Sequence, residues 1–130
     1  NILKIILMIG FHTTKYPKKM KKHFQMKKYI IKKVIEYLDN IPGKKTKDVA
    51  DLGCGKARIC EHFSESERFK FINMDHVSCN DLVQKQDIKD TGLEEHSIDI
   101  VILSLAMWGS NCKDYITEAN RILDVNGIYY

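Results

Sequence analysis

The residues best suited to chemistry in this sequence lie in the segment VADLGCGKA, from Val49 to Ala57. An apolar strand ends there in an acid and passes through Gly53 and Gly55 into the start of a predicted helix. Glycines tolerate positive φ angles, so they allow a sharp turn whose main chain approaches a ligand closely. The helix that follows points its N-terminus at the same place. A GxG turn between a strand and a helix indicates a nucleotide site, although a purely structural turn has the same pattern.

Two acidic residues follow, at the ends of the next two predicted strands. Asp75 lies 22 residues after Gly53, the place and distance at which nucleotide-binding sheets hold a ribose diol with a carboxylate. Asp87 closes the third predicted strand in QKQDI, where a side chain reaches the exocyclic amine of an adenine. Each acid by itself also fits a helix cap or a solvated turn. Together, the three strand ends predict a nucleoside site at the carboxyl edge of a sheet.

The glycine pattern also selects among nucleotide ligands. A dinucleotide-binding turn needs a third glycine three residues after the second, and Arg58 occupies that position. An acid, a GxG and a second-strand acid suit S-adenosylmethionine, which has no phosphate to cradle but has a ribose and a cationic sulfonium. The sequence therefore favours S-adenosylmethionine, with S-adenosylhomocysteine as its product form, over NAD.

A parallel sheet is needed to bring these strand ends together, and strands that alternate with helices predict one. The predicted strands are 48–52, 69–74, 81–86, 98–105 and 127–130, and the predicted helices between them are 56–63 and 111–123. The run 98–105 is strongly apolar, which is typical of a strand buried on both faces. Pro42 and Gly43 end a preceding helix near Asn40.

Charge is divided unevenly along the chain. The first 50 residues carry 13 lysines against three acids, whereas the rest of the chain carries eight basic and 14 acidic residues. Nine lysines fall between Lys15 and Lys33, together with an apolar stripe that predicts an amphipathic helix. Such a helix attracts phosphate backbones, although a solvated helix face has the same composition. We predict a basic helical segment over residues 1–46 and a nucleotide-binding core over residues 47–130, within one domain.

Composition excludes several classes of protein. With 44% hydrophobic and 29% charged residues, the chain is neither collagen-like nor wholly disordered. The longest apolar stretch, from Ile5 to Phe11, is too short to span a membrane and precedes no secretory cleavage site, so we expect an intracellular protein without a membrane partner. The four cysteines form no CxxC pair and have no histidines at zinc-site spacing, so we expect reduced thiols and no metal site.

Three segments resemble the ribosomal RNA-processing methyltransferases of the nucleomethylin type, the ribosomal RNA-processing protein 8 family. They are VADLGCGKA, DTGLEEHSIDIVILSLAMWGSN over residues 90–111 and EANRIL over residues 118–123. The GxG is generic to class I methyltransferases, whereas the run through GSN followed by EANRIL is specific to this family. The resemblance covers roughly residues 11–130. It implies a nucleolar enzyme that uses S-adenosylmethionine to methylate N1 of an adenine in large-subunit ribosomal RNA.

The resemblance also implies site residues. The glycine turn itself indicates Gly55 as a cofactor contact. The resemblance adds further cofactor contacts, which are Gly53, Asp75, Asp87, Ile88, Ser104 and His12. Substrate-side candidates follow the fourth strand of the family's fold: Trp108, Gly109 and Asn111. Trp108 would stack on a base and Asn111 would bond its edge, but a core position and a helix N-cap fit them as well. No general base is predicted, because the N1 lone pair of a neutral adenine attacks a sulfonium methyl directly once the two are aligned.

The fold implied is α/β, the Rossmann-like class I methyltransferase fold, with a doubly wound and mainly parallel sheet. That fold has two further strands, so we expect the sheet to be C-terminally truncated after the fifth strand. The expected partner is ribosomal RNA, bound through the helix between Lys15 and Lys33, in the nucleus and nucleolus. An alternative stays open, in which the chain is a non-catalytic module that binds S-adenosylmethionine or S-adenosylhomocysteine and docks on RNA or chromatin.

Overall fold

Parallel strands and helices alternate along the chain in the computed structural model, which describes residues 6–8, 23–103 and 112–124. The strands are β1 (Ile6–Met8), β2 (Lys47–Leu52), β3 (Phe69–Asp75), β4 (Gln84–Lys85) and β5 (Ile100–Leu103). The helices are α1 (His23–Asp39), α2 (Arg58–His62) and α3 (Cys112–Ile122). Within these residues the strands form one sheet in the order β1-β5-β2-β3-β4, and every neighbouring pair is parallel. The predicted α/β fold with a parallel sheet is confirmed.

Helices cover both faces of this sheet. One apolar cluster joins the strands to α1 and α2, and its buried members are Val34, Leu38, Ile41, Val49, Ile59, Phe63, Phe69, Ile100 and Ile102. A second cluster joins the opposite face to α3, and its buried members are Ala50, Leu52, Met74, Ile88, Ile98, Val101, Leu103, Ala119, Ile122 and Leu123. Neighbouring residues of one strand fall in different clusters, because successive side chains of a strand point to opposite faces. The sheet is therefore doubly wound.

Helix α1 ends at Asp39, beside the Asn40 at which the sequence predicts its end. The guanidinium of Arg68 donates hydrogen bonds to the main-chain carbonyl oxygens of Asp39 and Ile41, and it lies 5.1 Å from the centroid of the Phe69 ring. A cation at a helix C-terminus satisfies carbonyl groups that have no partner within the helix and opposes the helix dipole. Arg68 thus ties the end of α1 to the start of β3.

Replacing Arg68 by Met is expected to lower the free energy of unfolding by about 1–3 kcal/mol, since the carbonyl groups at the end of α1 lose their donor. Urea denaturation followed by circular dichroism measures the change. Lys70→Met is the matched control, because Lys70 is an exposed cation next to Phe69 on β3. An equal loss in both variants would show that the hydrogen bonds of Arg68 add nothing.

Two predicted elements begin later in the structure than the sequence predicts. The predicted strand 81–86 is reduced to β4, because side chains hold the preceding main chain in a turn. Ser78 Oγ donates to the Val83 carbonyl oxygen at 2.8 Å, and Asn80 Oδ1 accepts from the Leu82 N–H at 2.9 Å. The predicted helix 56–63 begins only at Arg58, because Ala57 has a left-handed φ of 58° that lies outside the helical region.

Strand β1 has no counterpart among the predicted elements. It pairs in parallel with β5, Ile6 opposite Val101 and Met8 opposite Leu103. The apolar run between Ile5 and Phe11 was a possible signal, since a short apolar run fits a parallel strand as well as it fits a helix segment. The predicted strands 48–52, 69–74 and 98–105 and the predicted helix 111–123 correspond to β2, β3, β5 and α3.

Some predictions fall outside the described residues. These are the strand 127–130 and the part of the basic helix that precedes His23. Within the parts of the chain that the structure does describe, no helix combines the length and the apolar character needed to span a membrane.

Candidate functional site

The candidate site lies at the carboxyl edge of the sheet, outside the ends of β2, β3 and β4. From β2 the chain winds outward through β3 to β4, and it then returns to β5 on the other side of β2. Ligands of open parallel sheets bind where the winding direction reverses in this way, because the loops on the two sides diverge and leave a crevice. The GxG turn follows β2 and therefore lies at this crevice.

The turn after β2 has the backbone conformation that its glycines allow. The φ angle is 81° at Gly53 and 58° at Gly55, in a region that side chains disfavour. The N–H groups of Gly53 and Cys54 both donate to the carbonyl oxygen of Met74, at 2.7 and 3.2 Å. These two hydrogen bonds fasten the turn to the end of β3 and fix its position at the crevice.

The carboxylate of Asp75 lies against this turn. Its Oδ2 accepts a hydrogen bond from the Gly55 N–H at 2.8 Å, and its Oδ1 accepts one from the N–H of His76 at 2.7 Å. The structure thus brings together Gly53, Gly55 and Asp75. Because the N–H groups of Gly53, Cys54 and Gly55 all bond to acceptors of the protein, the turn contributes a close approach of the main chain and a held carboxylate, rather than a row of free donors.

The Cys54 thiol is partly buried in the turn, close to two acidic side chains. Burial is the largest cause that raises its pKa from 9.0 to about 12, and the negative charges of Asp51 and Asp75 contribute in the same direction. Asp51 is buried on β2, where it lies opposite Asn73 of β3. Because the negative charges of two carboxylates lie close to the turn, the turn suits a ligand that carries positive charge.

Cys54 is expected to react far more slowly with iodoacetamide than the exposed Cys79 at a pH of about 8.5, because only the thiolate reacts. The pKa of Cys54 is higher in the folded than in the unfolded chain. The protonated thiol of Cys54 therefore stabilises the fold below pH 9, and this contribution is lost as the pH rises toward 12. Asp75→Asn removes one negative charge and should speed the reaction of Cys54. Peptide mass spectrometry measures both rates, with Cys79 as the internal control, and equal rates at the two thiols would contradict the expectation.

A second part of the crevice lies between the ends of β3 and β4 and helix α3. This cavity of about 620 Å³ is lined by His76, Lys85, Gln86, Asp87, Lys89 and Tyr115. The ring centroids of His76 and Tyr115 are 6.4 Å apart. Neither ring is among the predicted site residues. His76 directly follows Asp75, which was an available signal, whereas Tyr115 reaches the cavity only because α3 packs against the sheet.

Asp87 and Ile88, which were predicted to act together at an adenine, have different surroundings. Asp87 is exposed, and its Oδ1 accepts a hydrogen bond from the Lys89 N–H at 3.0 Å. The Ile88 side chain is fully buried in the cluster on the α3 side, which leaves its main chain for any ligand contact. The remaining predicted site residues lie outside the described part of the chain: His12, Ser104, Trp108, Gly109 and Asn111.

A buried carboxylate fixes the loop that follows Asp87. Oε2 of Glu118 accepts hydrogen bonds from both the N–H and the hydroxyl of Thr91, each at 2.8 Å. Arg121 donates to the same carboxylate and, at 2.7 Å, to the carbonyl oxygen of Leu93. The hydrogen bonds from Arg121, followed by those from Thr91, lower the pKa of Glu118 to about 2. Two residues of the EANRIL segment thus hold the loop that follows Asp87 against α3.

In the described ranges, no group of three or more His, Cys, Asp or Glu side chains is arranged to hold a metal ion. Cys54, Cys60 and Cys79 are free thiols there.

Sequence comparison places these features in a known family. Residues 11–130 match the profile of a protein family described as hypothetical methyltransferase. The chain belongs to this methyltransferase family. It is 38% identical over 98 residues to ribosomal RNA-processing protein 8 of Caenorhabditis elegans and 40% identical over 80 residues to that of Arabidopsis thaliana. It is 34% identical over 82 residues to a 25S rRNA (adenine(645)-N(1))-methyltransferase of Schizosaccharomyces pombe.

These alignments cover 75%, 62% and 63% of this chain, and 27%, 26% and 26% of the three relatives. The chain therefore spans about a quarter of the length of the curated relatives it matches. The resemblance to the ribosomal RNA-processing protein 8 family, predicted from the sequence, is confirmed.

Solved structures share the fold. A chain in the complex between the Haloferax volcanii Trm112 methyltransferase activator and a putative methyltransferase matches with a TM-score of 0.56 and 18% identity, over 72% of this chain and 47% of that chain. A putative S-adenosyl-L-methionine-dependent methyltransferase from Methanococcus maripaludis matches with a TM-score of 0.56 and 16% identity, over 84% of this chain and 64% of that chain. The fold is that of class I methyltransferases. The family and the fold together indicate S-adenosylmethionine as the cofactor, as predicted.

Proposed function

We propose that this chain is the cofactor-binding core of a ribosomal RNA methyltransferase that transfers a methyl group from S-adenosylmethionine to N1 of an adenine in large-subunit RNA. The observation that carries the proposal is the Asp75 carboxylate, held 2.8 Å from the N–H of Gly55 in a turn with positive φ angles. The ribosomal RNA-processing relatives support the RNA substrate, and the name of the Schizosaccharomyces pombe relative supports the adenine N1 target.

The residues at the crevice fit the cofactor. Each oxygen of the Asp75 carboxylate accepts one main-chain N–H and keeps a second lone pair for a ribose hydroxyl. The negative charges of Asp51 and Asp75, which raise the pKa of Cys54, suit a sulfonium cation. Asp87 and the main chain of Ile88 would hold the adenine, in the cavity that His76 also lines.

The chemistry needs alignment more than proton transfer. When bound, S-adenosylmethionine supplies a methyl group on a positively charged sulfur. Because N1 of adenine has an in-plane lone pair, the protein need not remove a proton, and its contribution is to hold the two reactants in line. Cys54 lies in the turn, and its raised pKa keeps the thiol protonated at neutral pH, so it does not compete as a nucleophile.

The basic helix is part of the proposal. Helix α1 carries Lys28, Lys32 and Lys33 as exposed cations, and we expect it to contact the phosphates of ribosomal RNA. The ribosomal RNA-processing relatives support a nuclear role, and we propose the nucleolus as the site of action.

Calorimetric titration with S-adenosylhomocysteine and with NAD tests cofactor choice, and we expect binding of the first only. Incorporation of labelled methyl groups into an adenine-containing ribosomal RNA fragment, with the modified position mapped, tests the reaction. Absence of heat with S-adenosylhomocysteine would refute the methyltransferase assignment for this chain. Binding without methyl transfer would support the non-catalytic module instead.

A further inference from the structure

A groove runs from the GxG turn along helices α1 and α2. One cavity of about 310 Å³ touches the turn and is lined by Lys28, Ile31, Cys54, Gly55, Lys56, Arg58 and Cys79. A neighbouring cavity of about 890 Å³ shares Lys28, Ile31 and Arg58 with it and extends between the two helices to His62. Because three residues line both cavities, the two form one continuous depression, which we call the α1–α2 groove and which begins at Gly55.

The end of the α1–α2 groove next to the turn is positively charged. Lys28, Lys56 and Arg58 line it, and among the described residues no acidic side chain lines that cavity. Lys32 lines the second cavity. The two glutamates of the groove also line the second cavity and do not line the first. All four cations are exposed, and within the described part of the chain none of them forms an ion pair. Their charge is therefore available to a ligand.

The cofactor does not account for all of these cations. S-adenosylmethionine has no phosphate, and its single carboxylate needs fewer cations than the four that line the groove. Between the cations of the groove lie three half-buried apolar or aromatic side chains, those of Tyr29, Ile31 and Ile35. Cations that alternate with apolar surface match a chain of phosphates with flat bases between them, which is the chemistry of single-stranded RNA.

We propose, resting on the methyltransferase function proposed above, that the α1–α2 groove binds the RNA strand next to the target nucleotide. Lys28, Lys56 and Arg58 neutralise phosphates, and the apolar side chains contact bases. A strand bound in this groove reaches the cofactor turn, because the groove begins at Gly55. Lys56 and Arg58 lie outside the lysine run between Lys15 and Lys33, so the surface is defined by the packing of α1 and α2 and not by the run alone.

Fluorescence anisotropy with a labelled single-stranded RNA of roughly 12 nucleotides tests the proposal. The groove variant is the double substitution Lys28→Gln and Arg58→Gln. The matched control, Lys44→Gln with Lys45→Gln, removes the same charge from the exposed connector after α1. At about 0.15 M salt we expect the groove variant to bind RNA about tenfold more weakly, because counterion release contributes roughly a factor of four per phosphate. The salt slope should fall by about 1.4, and the control should change affinity by less than about twofold.

Each other outcome has a distinct meaning. Equal weakening in the groove variant and the control would show that net charge alone attracts RNA, and this would overturn the proposal. Loss of S-adenosylhomocysteine affinity with unchanged RNA binding would assign Lys28 and Arg58 to the cofactor site and also overturn it. The proposal would also be overturned if a poly-glutamate peptide bound more tightly than the RNA and if only the groove variant bound that peptide more weakly. If the wild type binds no S-adenosylhomocysteine but the RNA pattern holds, the proposed enzyme function fails and its target nucleotide with it, while the groove stands as an RNA-binding surface.

Discussion

Replacing Asp75 by Ala is expected to weaken S-adenosylhomocysteine binding by about 100-fold or more. The carboxylate would accept hydrogen bonds from both ribose hydroxyls, and hydrogen bonds to a charged group contribute roughly 1.5–3 kcal/mol each. The substitution also leaves the Gly55 N–H without the acceptor that now holds the turn. Isothermal titration calorimetry measures the affinity of each variant.

Two further variants make this result interpretable. Asp75→Asn keeps the shape of the side chain and one acceptor oxygen, so it separates the loss of charge from a collapse of the turn. Glu65→Ala removes an exposed acid between α2 and β3, far from the turn, and should bind like the wild type. Thermal denaturation establishes that each variant is folded. A folded Asp75→Ala protein with wild-type affinity would remove Asp75 from the site.

Replacing Glu118 by Ala is expected to lower the free energy of unfolding by about 2–4 kcal/mol, because hydrogen bonds to a charged group are lost and buried donors are left unpaired. The Glu118 side chain is 7% exposed and accepts hydrogen bonds from Thr91 and Arg121. Without it, the Thr91 N–H and hydroxyl are buried without an acceptor. Urea denaturation measures the change, and Glu94→Ala in the exposed part of the same loop is the control. A loss below about 1 kcal/mol would contradict the structural role given to Glu118.

The same carboxylate predicts the acid sensitivity of the fold. The pKa of Glu118 falls from 4.5 to about 2 on folding, so its contribution is present above pH 4.5 and is lost as the pH falls toward 2. A shift of this size corresponds to about 3 kcal/mol. Between those pH values the free energy of unfolding should fall more steeply in the wild type than in Glu118→Gln. Parallel pH dependences of the two proteins would contradict the shift.

The parts of the site that could be predicted from sequence are those that depend on local backbone and strand ends. Gly53 and Gly55 are required by positive φ angles, and Asp75 is placed by the length of one strand–helix–strand unit. The bonds of Glu118 could not be predicted, because Thr91 lies 27 residues away and no local pattern links the two residues. Such pairs are decided by how α3 packs on the sheet.

The errors in the predicted elements arise where a side chain or a single residue competes with regular structure. Asn80 and Ser78 bond the main chain that β4 would otherwise use, and left-handed Ala57 delays α2. In the sequence, Arg58 indicated only that the third glycine of a dinucleotide-binding turn is absent. Its place in the α1–α2 groove follows from the packing of two helices that are separated by β2 in the chain, which no motif reveals.

The central position of β2 has a consequence for synthesis of the protein. One neighbour, β3, follows soon after β2, but the other neighbour, β5, pairs Ile100 with Val49 and is made much later. Until the ribosome has released β5, an apolar strand edge stays without its partner and is open to association with other nascent chains. The arrangement that puts the glycine turn at the crevice thus leaves one edge of its central strand unpaired until late in synthesis.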